Sequence, residues 1–268
     1  MKALGLTGAL GSFPAFTVWT RRFFDAIFPD TMLLDRLSFW EDALPRSGPL
    51  NMALDESMME QATEPWLRIY QWSEPTVSIG FSQSLGVIPE AHRARPVVRR
   101  WTGGGVVVHD GDWTYTLAVP AAHPFGDQPA GESYRQIHEA MIAALAASGI
   151  ADCLMQPVST SDGMGVCFTE PARYDVVRNG QKIAGAAQRR SRAGFLHQGT
   201  VQPLKAPPGF AWNFARALAV EPMVIAQADA EGRLLDRARK LCAEKYHTES
   251  WLHERRSATG KSSADSAA

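Results

Sequence analysis

Arg99-Arg100-Trp101-Thr102-Gly103-Gly104-Gly105-Val106-Val107-Val108-His109-Asp110 is the stretch on which the reading of this chain turns. Three adjacent glycines stand between two strand-like runs, Val97 to Arg100 and Gly105 to His109. Glycines at such a place let a ligand or a second backbone come close, and the amide N–H groups they expose can cradle an oxyanion. Arg99 and Arg100 add fixed positive charge suited to a phosphate or a thioester carbonyl. A glycine-rich turn flanked by surface arginines accounts for the same residues, and on this segment alone both readings stay open. A dinucleotide fingerprint does not fit, because the GxGxxG spacing and the helix after it are missing.

Working outward, Leu50, Leu54 and Met58 recur every four residues and predict a helix from Leu50 to about Ala62. Leu67 to Tyr70 and Val77 to Phe81 alternate as half-buried strands around a turn at Pro75, and Trp113 to Val119 reads as another strand. A helix is expected over Ser133 to Ser148, with Ser133 as its cap and Gly149 ending it. Tyr174 to Arg178, Asn179-Gly180 and Lys182 to Gln188 predict a hairpin, since Asn-Gly is the favoured two-residue turn. Strands around Phe195 and Val201, then helices over Phe210–Val220 and Glu231–Tyr246, complete the pattern. Strands lead and helices gather at the edges, which gives an α+β class with a mixed, largely antiparallel sheet flanked by helices.

Composition narrows the field. With 45% hydrophobic and 21% charged residues the chain has ordinary globular make-up, enough for one large domain. Its formal net charge of −1 supplies no global field toward nucleic acid or an anionic membrane, and no apolar run is long enough to span a bilayer. Cys153, Cys167 and Cys242 form neither a disulfide framework nor a CxxC metal pattern, which points to a reducing, cytoplasmic setting. Residues 1–31 are read as an N-terminal extension outside the fold, 32–252 as a single catalytic domain, and 253–268 as a disordered tail of small polar residues.

The glycine segment resembles the Arg-Arg-x-Thr-Gly-Gly-Gly-x-Val-x-His-Asp signature of lipoate–protein ligases and the related octanoyltransferases. Asn51-Met52-Ala53-Leu54-Asp55-Glu56 resembles the first-helix signature of the same lipoate/biotin protein ligase superfamily. Gly180 to Arg190 and Leu196-His197-Gln198-Gly199-Thr200 resemble its lysine loop and the strand behind it. The matches keep the family's order. The resemblance implies the superfamily's catalytic-domain fold and marks Lys182 as the lysine set against the acyl carbonyl, where an ammonium stabilises developing negative charge. By itself Lys182 would read as a solvated hairpin lysine. The same resemblance implies substrate contacts from Arg99, Arg100, Thr102, Gly103, Gly104, Gly105, His109, Gly185 and Ala187.

Cys167, in Gly165-Val166-Cys167-Phe168-Thr169-Glu170-Pro171, chooses among the superfamily's reactions. The segment resembles the Cys-Phe-x-x-Pro of an octanoyltransferase branch whose nucleophilic cysteine stands here. Cys153 and Cys242 read as small buried hydrophobes, whereas Cys167, near a lysine, is a candidate low-pKa thiolate. The branch implies transfer of an octanoyl or lipoyl group from acyl carrier protein to a lysine of a lipoyl-domain protein, such as glycine cleavage H protein or a 2-oxoacid dehydrogenase E2 subunit. It implies an acyl-cysteine, with no cofactor, metal, nucleic acid or membrane. Three alternatives stand beside it: ligation of free lipoate using ATP and Mg, octanoyl transfer between lipoyl-domain proteins, and a non-catalytic lipoyl-domain binding module.

Overall fold

The computed structural model describes residues 32–158, 171–202 and 207–255. The expected extension over residues 1–31, residues 256–268 of the expected tail and Cys167 lie outside the described residues, whereas His253 and Glu254 of that tail are helical.

Eight strands build the main sheet: β1 (Leu34–Glu41), β2 (Trp66–Tyr70), β6 (Trp113–Pro120), β7 (Cys153–Met155), β8 (Val176–Arg178), β9 (Gln181–Ser191), β10 (Gly194–Val201) and β11 (Ala219–Val224). Their order is β11-β1-β2-β6-β10-β9-β8-β7; β1 pairs in parallel with both β11 and β2, and every other pairing is antiparallel. A second sheet of three strands sets β3 (Thr76–Ile79) between β4 (Val97–Arg99) and β5 (Val107–His109).

Helices cover both faces of the main sheet, and the period-2 alternation of β2 shows why. Leu67 and Ile69 point into a core with the helices α2 (Ala130–Ala147) and α3 (Phe210–Leu218), through Ile137, Met141, Phe210 and Phe214. Trp66 and Tyr70 point the other way, toward α1 (Gly48–Gln61) and α4 (Gln227–Leu241), through Met52, Met58 and Leu234. A short helix, α5 (Glu249–Glu254), closes the described chain. The fold is the expected α+β arrangement, a large and mostly antiparallel sheet flanked by helices.

Several boundaries differ from the sequence reading. Ser133 is not the cap of α2: the helix begins at Ala130 behind Pro129, and Ser133 turns its hydroxyl back to the Pro129 and Ala130 carbonyls. Proline's fixed φ sets the helix start more firmly than a serine one turn later. The β2 and β3 runs do not pair with each other, because the chain crosses at Pro75 from the main sheet into the small one. Phe195 and Val201 share one strand, Val220 belongs to β11 instead of a helix, and the last long helix ends in a π turn over Cys242–Tyr246. The Asn179-Gly180 turn is as expected, with φ of 51° and 76°.

Candidate functional site

The glycine segment leaves β4 and runs along the edge of the small sheet. It stays there because Arg100 N–H donates to the Ile79 carbonyl and Phe81 N–H to that of Thr102, at 2.9 and 2.8 Å. Gly80 permits the approach: a Cβ at that position would lie 2.0 Å from the Gly104 carbonyl oxygen. Gly104 itself has φ +84°, in the region that favours glycine. Among the described residues, no backbone or side-chain acceptor takes a hydrogen bond from the amides of Gly103, Gly104 or Gly105.

The two arginines part company. The Arg99 guanidinium is spent on backbone carbonyls, donating to Gly80, Phe81 and Gln83 on one side and to Trp251 and Leu252 of α5 on the other. Trp251 returns a bond from its indole N–H to the Arg99 carbonyl at 3.0 Å. Arg100 points inward, donating to Ser78 Oγ at 2.6 Å and to the carbonyls of Gly103 and Gly105.

Arg100 lines a cleft of about 430 Å³, open to solvent, between the small sheet and the main one. Ser78, Gly104 and His109 form one wall, Gly185, Ala186 and Ala187 the other, with Met52, Tyr70, Trp72 and Val107 supplying apolar surface. Of the residues expected from sequence to touch substrate, Arg100, Gly104, His109, Gly185 and Ala187 meet here. Arg99, Thr102, Gly103 and Gly105 are not among the lining residues. Thr102 stands one layer back, its hydroxyl bonded at 2.7 Å to Gln198, which does line the cleft. Gln198 in turn donates to Asp55 of α1 at 2.7 Å, so the first-helix segment braces the glycine loop.

Lys182 lies directly behind Gly185. A Cβ on Gly185 would fall 2.4 Å from Lys182 Cε and 2.6 Å from Nζ, so the lysine stem crosses where this residue has no side chain. Its ammonium pairs with Asp175 at 2.7 Å, and both side chains are buried. Asp175 is held in turn by the Tyr134 hydroxyl at 2.5 Å and the Ala172 amide at 2.7 Å. Below this pair sit His138, Tyr115 and His197, with Tyr115 Oη 3.3 and 3.1 Å from the two Nε2 atoms. Burial pushes His138 down to about 4 and His197 well below the usual imidazole range, so neither carries charge at neutral pH.

Asp175, Tyr134, Asp55, Gln198 and Ser78 escaped sequence reasoning. Each acts through a partner distant in sequence, and only Asp55 and Gln198 lay inside quoted motifs. Among the described residues no group of three or more His, Cys, Asp or Glu is placed to hold a metal ion, and no helix is long and apolar enough to cross a membrane.

Comparison with known proteins agrees with this geometry. The family model described as lipoyl protein ligase A/B catalytic domain matches residues 47–202. Octanoyltransferase LipM of Oceanobacillus iheyensis is 33% identical over 176 residues, which is 62% of this chain and 64% of that protein. LipM of Kyrpidia tusciae is 36% identical over 169 residues, 58% of this chain and 62% of its own. The matched region thus spans less than two thirds of the length of these relatives. In fold, a T. acidophilum protein described as a lipoate protein ligase, solved with bound lipoic acid, superposes with a TM-score of 0.63 at 22% identity, covering 82% of this chain and 99% of that one. Lipoate-protein ligase A bound with ATP gives 0.62 at 21% identity, over 82% and 98%.

Proposed function

Because the chain belongs to the lipoyl protein ligase A/B catalytic domain family, we propose that it is an acyltransferase that moves an octanoyl (or lipoyl) group onto a lysine of a lipoyl-domain protein. Acyl carrier protein is the donor in this reading, and Cys167 carries the acyl group between the two. The observation that supports it best is the position of Lys182 directly behind Gly185, which lines the same cleft as Gly104, in a chain about one-third identical over the matched region to octanoyltransferases.

In the first step the Cys167 thiolate attacks the donor thioester carbonyl. A new C–S bond forms, and the donor thiol leaves with a proton. The acceptor amine then attacks acyl-Cys167, an amide forms as the C–S bond breaks, the amine proton passes to solvent, and the Cys167 thiolate is restored. The carbonyl oxygen gains negative charge in both additions. Lys182, paired with Asp175 at 2.7 Å, and the Gly103–Gly105 amides supply donors that stabilise that charge. Ligation of free lipoate with ATP is the second reading, favoured by the fold shared with lipoate-protein ligase A bound with ATP.

Octanoyl-acyl carrier protein, incubated with the purified protein without ATP or acceptor and followed by intact mass spectrometry, separates the two. A hydroxylamine-labile octanoyl adduct mapping to Cys167 is expected. No adduct, with acceptor modification only on adding octanoate or lipoate and Mg-ATP, overturns the transferase reading in favour of ligation.

A further inference from the structure

The wall of the cleft opposite Lys182 holds a second set of groups. His109 Nδ1 lies 2.7 Å from Asp112 Oδ2, and His109 Nε2 lies 2.7 Å from Ser78 Oγ. Asp112 is buried and also accepts hydrogen bonds from the hydroxyls of Thr114 and Thr200. Burial pushes its carboxyl up, but His109 and the two hydroxyls more than offset this and hold it below the usual carboxylate range. The imidazole is clamped by Trp72, whose ring stacks on it at 3.9 Å and 19°, and whose indole N–H is tied to Thr114.

The network fixes the proton positions. A carboxylate only accepts, so an Nδ1 proton faces Asp112, and in the neutral imidazole Nε2 is then the acceptor. Arg100 only donates, so its bond to Ser78 Oγ uses one of that oxygen's lone pairs. The Ser78 O–H therefore points to Nε2 and one Oγ lone pair is left over; Ser78 is itself fully buried, so an ester reaches it only from the cleft it lines. Arg100 and Gly104 stand beside it in the same lining, where donors can meet a carbonyl oxygen.

We propose that Ser78 is a second acyl-accepting nucleophile in this cleft, activated by His109 and Asp112, which takes the acyl group of small activated esters and releases it to water. Ser78 Oγ attacks the ester carbonyl while its proton moves to His109 Nε2. The tetrahedral adduct collapses, and the leaving alkoxide or phenolate takes that proton. Water then attacks acyl-Ser78 with His109 as base, which gives the carboxylic acid and restores the hydroxyl. This activity goes beyond the proposed transfer and needs neither Cys167 nor a carrier protein.

An octyl fluorophosphonate probe tests it independently of any transfer assay, by intact mass and peptide mapping. One adduct on Ser78 of the wild-type chain, with loss of fluoride, is expected. Asp112→Asn, which keeps the side-chain volume, is expected to slow labelling at least about a hundredfold, as loss of an oriented general base does. Ser78→Ala is expected to show no adduct at that peptide. No adduct on the wild type, an adduct only elsewhere, or equal labelling rates in wild type and Asp112→Asn would each overturn the proposal. Failure of octanoyl transfer would leave this result unchanged, and failure here would leave the transferase reading intact.

Discussion

Two buried ion pairs sit on opposite sides of β10 and do different work. Under α1, the Arg68 guanidinium is fully buried and reaches Asp42 and Asp55 at 2.8 Å each. It also donates to Asn51 and lies over the rings of Tyr70 and Trp40, at 4.1 and 5.1 Å from their centroids. This cation is enclosed, and its charge serves only to join α1 to the sheet. Lys182 is paired just as tightly, but it lies directly behind Gly185, a residue without a side chain that lines the cleft. Burial and pairing alone do not mark a functional charge.

Arg68→Ala should give the largest effect, on stability. It takes from Asp55 its arginine and from Asp42 one of two, leaving Arg46 on Asp42 and three neutral donors on Asp55, and breaking a buried pair costs about 3–5 kcal/mol. Chemical denaturation should show a midpoint lowered accordingly. If stability barely moves, the enclosed cluster is less buried in solution than described and the contrast with Lys182 collapses.

Lys182→Met keeps the apolar stem and removes the charge. Octanoyl transfer should fall roughly 10²–10³-fold, the usual cost of losing one oxyanion donor. The denaturation midpoint should move less than for Arg68→Ala, because Lys182→Met breaks the pair with Asp175 where Arg68→Ala breaks pairs with two carboxylates and two bonds to Asn51. A variant that unfolds readily yet transfers normally once folded would reverse the two roles.

Gly185→Ala sharpens the same point without touching a charge. The new Cβ meets the far end of Lys182 and, at 3.0 Å, Asp175 Oδ1, both side-chain atoms, so the β9 pairing survives while the ion pair shifts. A misplacement of about 1 Å can cost as much as 10²-fold in rate, with little change in melting temperature. Gly199→Ala on the neighbouring strand is the control. There a Cβ would fall 2.4–2.5 Å from the ring of Tyr115, a core residue, so stability should suffer instead. Wild-type transfer by Gly185→Ala would mean that the placement of Lys182 does not limit the reaction.

These contrasts also mark what the sequence made legible. The hairpin and the glycine segment could be read because their causes are local: Asn179-Gly180 is a turn in itself, and three consecutive glycines announce a close approach. The α1 helix was found, but Leu50, Leu54 and Met58 gave no hint that Asn51, Asp55, Glu56 and Ser57 are buried too. Their partners include Arg68, Lys245 and the Leu234 carbonyl, contacts no period can show. Strands β1 and β11 went unseen, since a parallel pairing between residues 34–39 and 219–224 has no turn to signal it. At the site, Arg99 and Arg100 are the same residue type side by side, and only the position of α5 decides which one faces the cleft.

The smallest expected effect tests the floor beneath Lys182. Burial holds His138 neutral by lowering it from the ordinary 6.5 to about 4, against the opposing pull of Asp175 and the Tyr174 carbonyl. In the unfolded chain the same imidazole takes up a proton near pH 6.5. Between these values the unfolded state binds more protons than the native one, so stability must fall as pH drops through this window and stay level above it. Between pH 7.5 and 5 the loss from this one group is about 2 kcal/mol, with His197 adding in the same direction. Denaturation midpoints across that range should follow this slope, and His138→Gln, which keeps a polar partner for Tyr115, should flatten it. The enclosed Arg68 cluster contains no group that titrates in this window by type, so Arg68→Ala should shift the whole curve down without changing its slope. If His138→Gln leaves the slope unaltered, the layer under Lys182 is open to water, and the ammonium works in a more polar setting than the burial of Lys182 and Asp175 implies.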